Sequence, residues 1–399
     1  MNYKQQIGLF GYGTVGAGLV YALDKGKTVH AEIKKICIKN GEKSRDLDAS
    51  FFTTDRNVLL QDPEINLIVE LIDDADAAYE IVKTALQNGK SVVSGNKKML
   101  AHHLPEMIEL QREHNCALLY DASACGSIPV IRNLEEYYDN DLLTSLTGIL
   151  NGSSNYILSQ MFTWGSSYSS ALKEAQEKGF AESNPSLDVD GFDSLYKLIV
   201  LTLHSMGTYI VPSQVFHSGI SKISVADVQY AREKGKKIKL VGYISKLNEN
   251  EFTVFVVPRF VTTDNYIYNV ENEFNGVVIE GECYDKQFMF GRGAGANPTG
   301  SAVLSDITAR MHHYRYEYKK MKYFRPMSYS KNVLLEIYLR YENLVDLSFF
   351  EFERISEKYS GPEYNYVIGT ISLENLLKIN KLILKHEMFV CWTGSMHAL

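Results

Sequence analysis

A short apolar run, Ile7-Gly8-Leu9-Phe10, passes directly into Gly11-Tyr12-Gly13-Thr14-Val15-Gly16 and then into a helical stretch over residues 17–23. Strand, GxGxxG and helix in that order fix a tight strand-to-helix turn. Gly11 permits the turn, Gly13 lets backbone approach a pyrophosphate, and Gly16 lets the helix pack closely on its strand. The helix start then offers N–H donors and the positive end of its dipole to phosphate. Gly11, Tyr12, Gly13, Thr14, Val15 and Gly16 are therefore the candidate dinucleotide-binding residues. A parallel α/β sheet is the fold that carries such a turn.

The alternation that this sheet needs continues along the chain. Residues 33–38 and 66–72 read as strands, the latter buried on both faces. Residues 75–88 read as a helix closed by Gly89, 91–94 as a strand, 104–114 as a helix and 117–120 as a strand. Ligands in such sheets sit at the carboxyl ends of the strands, which singles out Ser94, Lys97 and Asp121. At the end of the second strand an acid would grip a ribose 2′-hydroxyl. Here stand Lys39 and Asn40, with Lys43 and Arg45 close behind. Cations at this spot favour a 2′-phosphate, hence NADP, with NAD as the alternative. A solvated basic loop has the same sequence.

The second half begins with a strand at 146–150, the polar turn Asn151-Gly152-Ser153-Ser154-Asn155 and a helix at 156–162. N–H groups at Gly152 and Ser153 could receive a substrate carboxylate, although an ordinary Ser/Asn cap looks identical. Residues 178–197 then hold Glu182, Asp188, Asp190, Asp193, Lys178 and Lys197 around one turn and one helix start. Pro185 and Gly191 make the first part a loop, and Asp190 is the expected N-cap. Asp193 and Lys197 are four apart and share a helix face. On an exposed helix such a pair contributes little. This helix, however, carries Leu195, Leu198, Ile199, Val200 and Leu201, so it reads as buried, and a buried lysine needs a partner or a task. A further glycine-rich piece at 291–300 opens a helix at 301–311.

Composition closes off other classes. A net charge of −7 speaks against a nucleic-acid footprint. No apolar run approaches the ~20 residues of a membrane span, and residues 1–6 run into a short strand rather than a signal peptide. Five scattered cysteines without a CxxC fit neither a disulfide framework nor a zinc site, and they suit a reducing cytosol.

Over about residues 5–312 the chain resembles the homoserine dehydrogenase family, through GYGTVGAGL, SGNKKMLA, ASACGSIP, GILNGSSNYIL, the acidic stretch and GRGAGANPTGSAV. The resemblance implies NAD(P)-dependent interconversion of L-homoserine and L-aspartate 4-semialdehyde in threonine, methionine and isoleucine biosynthesis. It implies that Lys197 is the proton donor, that Asp193 orients it, and that Lys97 touches both cofactor and substrate. It implies substrate binding by Glu182 with Asp188 nearby, and a cofactor-lining role for Gly293. It further implies a monovalent cation such as sodium around Asp121, Ala124, Gly126 and Ile128, and a cytoplasmic homodimer. The implied fold is α/β in three parts. Residues 1–130 form a Rossmann-type doubly wound sheet, completed by the helix near 298–312. Residues 131–312 form an α+β substrate and dimerisation domain with a mainly antiparallel sheet. Residues 331–399 form a small α+β domain that looks like an ACT-type regulatory module, with strands at 333–341, 365–372 and 388–392 and helices at 347–359 and 373–386.

Five positions depart from the family's pattern. Asp121 stands for Glu, Asp73-Asp74 for Gly-Gly and Phe180 for Tyr, and Cys125 is unusual. Two other readings compete: a redox-sensing NADP-binding protein without turnover, and another small amino-acid or aldehyde dehydrogenase on this scaffold. Retention of Lys97, Glu182, Asp193 and Lys197 argues against a sensor, which needs none of them.

Overall fold

The structure, a computed structural model, describes residues 4–26, 29–362 and 364–398. Residues 1–3 of the expected N-terminal run lie outside the described residues. The chain divides into two units, one running through Tyr137 and taking back Arg292–Lys319, the other holding Tyr138–Gly291 and the chain from Lys320 onward.

In the first unit, β1 (Gln5–Phe10), β2 (Ala31–Cys37), β3 (Phe52–Thr53), β4 (Leu67–Glu70), β5 (Ser91–Ser94) and β6 (Leu118–Leu119) form a sheet in the order β3-β2-β1-β4-β5-β6. Every pairing is parallel. β4 and β5 are buried along their whole length, as strands covered by helices on both faces must be. Strand order reverses between β1 and β4, and folds of this kind take their ligand in the crevice at that point. The helix Lys97–Glu113 begins at Lys97 rather than at the expected 104 and carries Pro105 in its interior.

The helix Ala296–Met311 comes from far along the chain and packs on Thr14–Lys25. Two glycines make the contact. A Cβ on Gly18 would lie 2.0 Å from the Ala296 carbonyl oxygen, and one on Gly300 would lie 2.5 Å from the Gly18 carbonyl carbon. Gly18→Ala gains about 1 kcal/mol of helix propensity but forces backbone apart, where no rotamer can yield. We expect a net loss of about 2 kcal/mol, read as a lower urea midpoint; a midpoint at or above the parent's would contradict this packing.

In the second unit, β7 (Leu143–Ile149), β8 (Lys237–Lys246), β9 (Glu251–Val261), β10 (Phe274–Gly281), β11 (Asp285–Arg292), β12 (Ser328–Tyr329), β13 (Val333–Tyr341), β14 (Phe352–Ser360), β15 (Asn365–Ser372) and β16 (Phe389–Ala398) share one sheet, ordered β11-β10-β7-β8-β9-β16-β13-β15-β14, with β12 on β9. It is mainly antiparallel, and parallel where β12 and β16 meet β9. The helix Phe192–Met206 is buried on nearly every face and lies against β8 and β9.

The tail does not build a sheet apart. β16 pairs with β9, and Phe255 and Val257 of β9 share a core with Val333, Leu335, Ile337, Val390 and Trp392. Residues 352–359, expected within a helix at 347–359, instead belong to strand β14, and only Leu344–Leu347 is helical there. Phe352, Ile355 and Tyr359 recur at spacings of three and four, which imitates a helix. Register shifts against β15 at Phe352/Arg354 and Ile355/Glu357 insert bulged residues that give an edge strand the same spacing. The fold class is α/β: a Rossmann-like parallel sheet and a mixed, mostly antiparallel one. Among the described residues no helix is long and apolar enough to cross a membrane.

Candidate active site

In the second unit the acidic stretch ends on the buried helix Phe192–Met206. Its N-cap is Gly191, at φ +87°, with no side-chain cap. Asp190, the expected cap, instead ends the short helix Ser186–Val189. Asp193 sits in the first turn and is buried, as is Lys197 one turn on. Lys197 Nζ lies 2.7 Å from Asp193 Oδ2 and donates to the Leu150 carbonyl at 2.8 Å. That carbonyl belongs to the turn that starts the helix Gly152–Trp164.

Asn151, buried in the same turn, links these groups. Its Oδ1 caps the helix by accepting from Ser154 N at 2.7 Å, while its Nδ2 donates to Asp188 Oδ1 at 2.7 Å and to Asp193 Oδ2 at 2.9 Å. Asp188, Asn151, Asp193 and Lys197 thus form one chain of charge-assisted hydrogen bonds, the short and strong kind. Sequence reasoning quoted Asn151 only as turn. Its capping role is legible from its position before a helix; its hold on two carboxylates is not.

The remaining substrate candidates are placed differently. Gly152 is pressed against the Glu273 carbonyl, where a Cβ would fall 2.6 Å from the oxygen, so its glycine identity is a packing requirement. The Ser153 hydroxyl donates to the Phe180 carbonyl. Phe180 stacks on Tyr156, whose hydroxyl meets both Glu174 and Lys178 at 2.8 Å. Glu182 is exposed on the following loop, where its carbonyl accepts from Gln176, and its carboxylate takes no part in the Asn151 chain.

In the first unit the glycine turn has the form its spacing predicts. Gly11 has φ +94°, and a Cβ there would lie 2.6 Å from the Leu71 carbonyl oxygen. Gly16 is closed by the Gly11 carbonyl, while the space above Gly13 is open within 4 Å. Gly13 caps the helix Thr14–Lys25 without a side chain, so this helix start suits an anion. Tyr12 meets Phe52 edge-on, and the Arg45 guanidinium lies over the same ring, 5.2 Å from its centroid. Arg45 also donates to the carbonyls of Lys43 and Asn40 at 2.6 and 2.7 Å. Lys43, Arg45 and Phe52 border a cavity of about 620 Å³. Lys39 is exposed at the end of β2, so the cation fixed by its surroundings here is Arg45.

At the crevice, Ser94 Oγ donates to Glu70 Oε2 at 2.6 Å, and Ile72 N donates to the other oxygen of Glu70 at 2.8 Å. Asn96 caps the next helix through Met99 N and ties it to the Ile72 carbonyl at 3.0 Å. Lys97, half-buried, is the first residue of that helix. Asp74 caps its own helix by accepting from Asp76 N and Ala77 N, each at 3.1 Å, which accounts for one of the two unexpected acids. Glu70 was not anticipated. It is fully buried, and burial pushes its carboxyl up to about 7. A carboxyl raised in the folded state favours folding below its unfolded value, and that stability is lost as pH rises through 7. Glu70→Gln should therefore raise the melting temperature at pH 8 and leave it unchanged at pH 4.5. Thermal scans at the two pH values test this, and an equal shift at both would remove the ionisation argument.

Asp121, at the end of β6, accepts from Ile131 N and Arg132 N at 2.9 and 3.1 Å, so its carboxylate seats the helix Val130–Glu136. Its own N–H donates to Asp306, which pairs with Arg132 at 2.8 Å. The turn through Ala124, Gly126 and Ile128 follows. Gly126 has φ +57°, and a Cβ on it would lie 2.6 Å from the carbonyl oxygens of Arg292 and Gly293. This cradle of oxygens brings Gly293 to the Asp121 turn.

The chain is similar to known proteins along most of its length. The family model for homoserine dehydrogenase matches residues 129–308, and the one described as its NAD binding domain matches 11–121. The homoserine dehydrogenase of Bacillus subtilis is 33% identical over 337 residues, covering 82% of this chain and 77% of its own. That of Pseudomonas aeruginosa is 34% identical over 309 residues, covering 76% and 71%. Among solved structures, a homoserine dehydrogenase from Thiobacillus denitrificans gives a TM-score of 0.84 at 27% identity, over 98% of this chain and 99% of that one. A hyperthermophilic archaeal homoserine dehydrogenase mutant in complex with NADPH gives 0.67 at 25% identity, over 79% and 100%.

Proposed function

The chain belongs to the homoserine dehydrogenase family, and we propose that Lys197, held by Asp193 and the Leu150 carbonyl, is the residue that exchanges the proton of the reaction. The activity is that of a homoserine dehydrogenase, a nicotinamide-dependent oxidoreductase. The observation that carries the residue assignment is the count around Lys197 Nζ. An ammonium has three N–H donors, and among the described residues two of them meet Asp193 and Leu150. The third is left for a reacting oxygen.

A bound nicotinamide supplies or accepts the hydride at the carbon that alternates between aldehyde and alcohol. When L-aspartate 4-semialdehyde is reduced, negative charge grows on its carbonyl oxygen; the Lys197 ammonium stabilises that charge and then transfers its proton. Asp193 keeps the ammonium aimed, and Asn151 keeps Asp193 aimed. Asp188 and Glu182 are the carboxylates for the substrate ammonium. The backbone N–H groups at Gly152 and Ser153 are the donors for its carboxylate, since the Ser153 hydroxyl is already committed to Phe180. Lys97, Ser94 and Gly293 line the nicotinamide. NADPH oxidation with L-aspartate 4-semialdehyde is the direct assay, and no turnover would overturn this reading. Turnover with other amino-acid aldehydes alone would favour a different dehydrogenase on this scaffold.

NADP is the preferred cofactor in this reading, and support comes from Arg45, a cation braced by two carbonyls and a ring beside the glycine turn. Lys39 adds charge from the end of β2. Arg45→Glu should lower kcat/KM for NADPH by about 100-fold, the scale of a lost charge-assisted contact, and leave NADH nearly unaffected. An equal fall with both cofactors would count against it.

A monovalent cation suits the carbonyl oxygens of Arg292 and Gly293 beside Gly126, with Ala124, Ile128 and Asp121 in the same turn; a melting temperature that rises with sodium chloride and not with choline chloride is its test. The domains are a dinucleotide-binding domain over residues 1–130, completed by the helix near 298–312, a substrate and dimerisation domain over 131–312, and an ACT-like module over 331–399. The strand–helix order of the tail, β-α-β-β-α-α-β with the last two helices short and consecutive, supports the last. If homoserine oxidation runs equally fast with and without millimolar threonine, effector control through that module falls. The same reading carries a cytoplasmic homodimer in threonine, methionine and isoleucine biosynthesis.

A further inference from the structure

On the face of the second unit's sheet away from the helix Phe192–Met206, Arg259 of β9 presents a cation without an acceptor. Its Nε is buried and donates to nothing, and among the described residues the guanidinium has no ion pair. It lies over the Trp392 ring, 4.5 Å from the centroid, so the ring limits where its fork can point. Guanidinium groups carry five donors in a fixed geometry, and a buried charge left unpaired is costly. Neither nearby acid bonds to it: Glu280 pairs with Lys286 through one oxygen at 3.4 Å, and Asp264 accepts from the Thr262 hydroxyl.

The guanidinium borders a cavity of about 320 Å³, near the small end of ligand sites. Thr147 and Tyr243 add hydroxyls, and Asp264, Glu280 and Lys286 stand around the same space. One of these contacts is apolar in Val278, but the lining is otherwise polar, so an oily ligand is excluded. Two cations and two carboxylates make the charged lining formally neutral. A polyanion would face both acids, whereas a small solute with one carboxylate and one ammonium meets opposite charge at each end.

We propose that this cavity is a second small-molecule site, in which Arg259 receives the carboxylate of an amino-acid zwitterion whose ammonium lies toward Asp264 and Glu280. The fork accepts the carboxylate in bidentate fashion, and the Trp392 stack pre-orients it. The site is separate in residues from the Lys197 chain, and it does not depend on the reading of that chain.

The test is thermal unfolding and calorimetric titration of the full chain with L-alanine, acetate and methylammonium. L-Alanine at a hundred times its dissociation constant should raise the melting temperature by several degrees, roughly 5 °C, with acetate and methylammonium each at least tenfold weaker. Arg259→Met should abolish the alanine shift while leaving the unliganded protein about as stable as the parent, because it removes an unpaired, partly buried charge. Thr147→Val, which keeps Arg259 and nearly the same volume, should weaken alanine binding several-fold; it provides the test if Arg259→Met fails to fold. Lys197→Ala should keep the shift intact. The proposal is overturned if alanine gives no saturable shift, if acetate alone matches it, if Arg259→Met or Thr147→Val binds undiminished, or if Lys197→Ala loses the shift, since binding would then be at the reacting site.

Discussion

Lys197→Met is expected to lower turnover of L-aspartate 4-semialdehyde by about 10³-fold, within the 10²–10⁴ that general acid catalysis contributes, with a much smaller change in KM. Methionine keeps the length and volume of the side chain but has no proton to give. The variant should fold, because Asp193 retains the Asn151 amide at 2.9 Å and the surrounding helix is held by Leu195, Leu198 and Ile199. Asp193→Asn should be milder, on the order of 10–100-fold, because the ammonium keeps the Leu150 carbonyl and loses only its aim. Asn151→Ala should fall between them. It frees both Asp188 and Asp193 and also removes a helix cap, a loss of about 1 kcal/mol that Asp193→Asn does not incur. The ordering is the diagnostic part. Steady-state kinetics with folded protein, checked by circular dichroism, measures it. Lys197→Met keeping more than a tenth of parental kcat would remove Lys197 from its role.

The parts legible in the sequence are those whose cause is local. The glycine turn follows from three residues and their neighbours: Gly11 must adopt positive φ, and Gly16 must meet the Gly11 carbonyl. The Asp193–Lys197 pair is a helix-face relation within one turn. The unread parts depend on partners far along the chain. Asn151 looks like a turn residue until residues 188 and 193 fold onto it. Gly18 looks like an ordinary helix glycine, and Gly300 like the end of a glycine-rich loop, until the helices meet. Glu70 looks like the polar end of a strand, and only the burial of the crevice makes it a titrating group. β14 misleads for a different reason: bulges alter the period by which strands are recognised, so its apolar spacing matches the wrong template. Asp190 misleads because it ends one short helix, and Gly191, at positive φ, starts the next.

Arg340→Met should give the largest stability loss, about 3–5 kcal/mol, because it strands a buried charge. Arg340 of β13 donates through Nε to both oxygens of Asp227, at 3.0 and 2.9 Å, and reaches the Lys222 carbonyl with its terminal nitrogen. The Asp227 side chain is wholly buried and that of Arg340 nearly so. Asp227 also closes the capping box of the helix Val225–Glu233 with Ser224 and accepts from the Tyr338 hydroxyl at 2.9 Å. One carboxylate thus joins a helix of the middle segment to a strand of the tail, so breaking the pair loosens the tail from β9. Burial pushes the Asp227 carboxyl up while Arg340 holds it down; without Arg340 only the upward push and the weaker neutral donors remain. A raised carboxyl favours the fold at low pH and loses that contribution as pH rises through its folded value. The deficit of Arg340→Met should therefore be largest at pH 8 and shrink toward pH 5. The double variant Arg340→Met, Asp227→Asn should recover part of the loss at pH 8, since a neutral amide has no charge to strand and can still accept from Ser224. Urea unfolding of parent, single and double variants at the two pH values tests the scheme. A deficit in Arg340→Met that is independent of pH and unchanged by Asp227→Asn would mean that the arginine acts through packing alone.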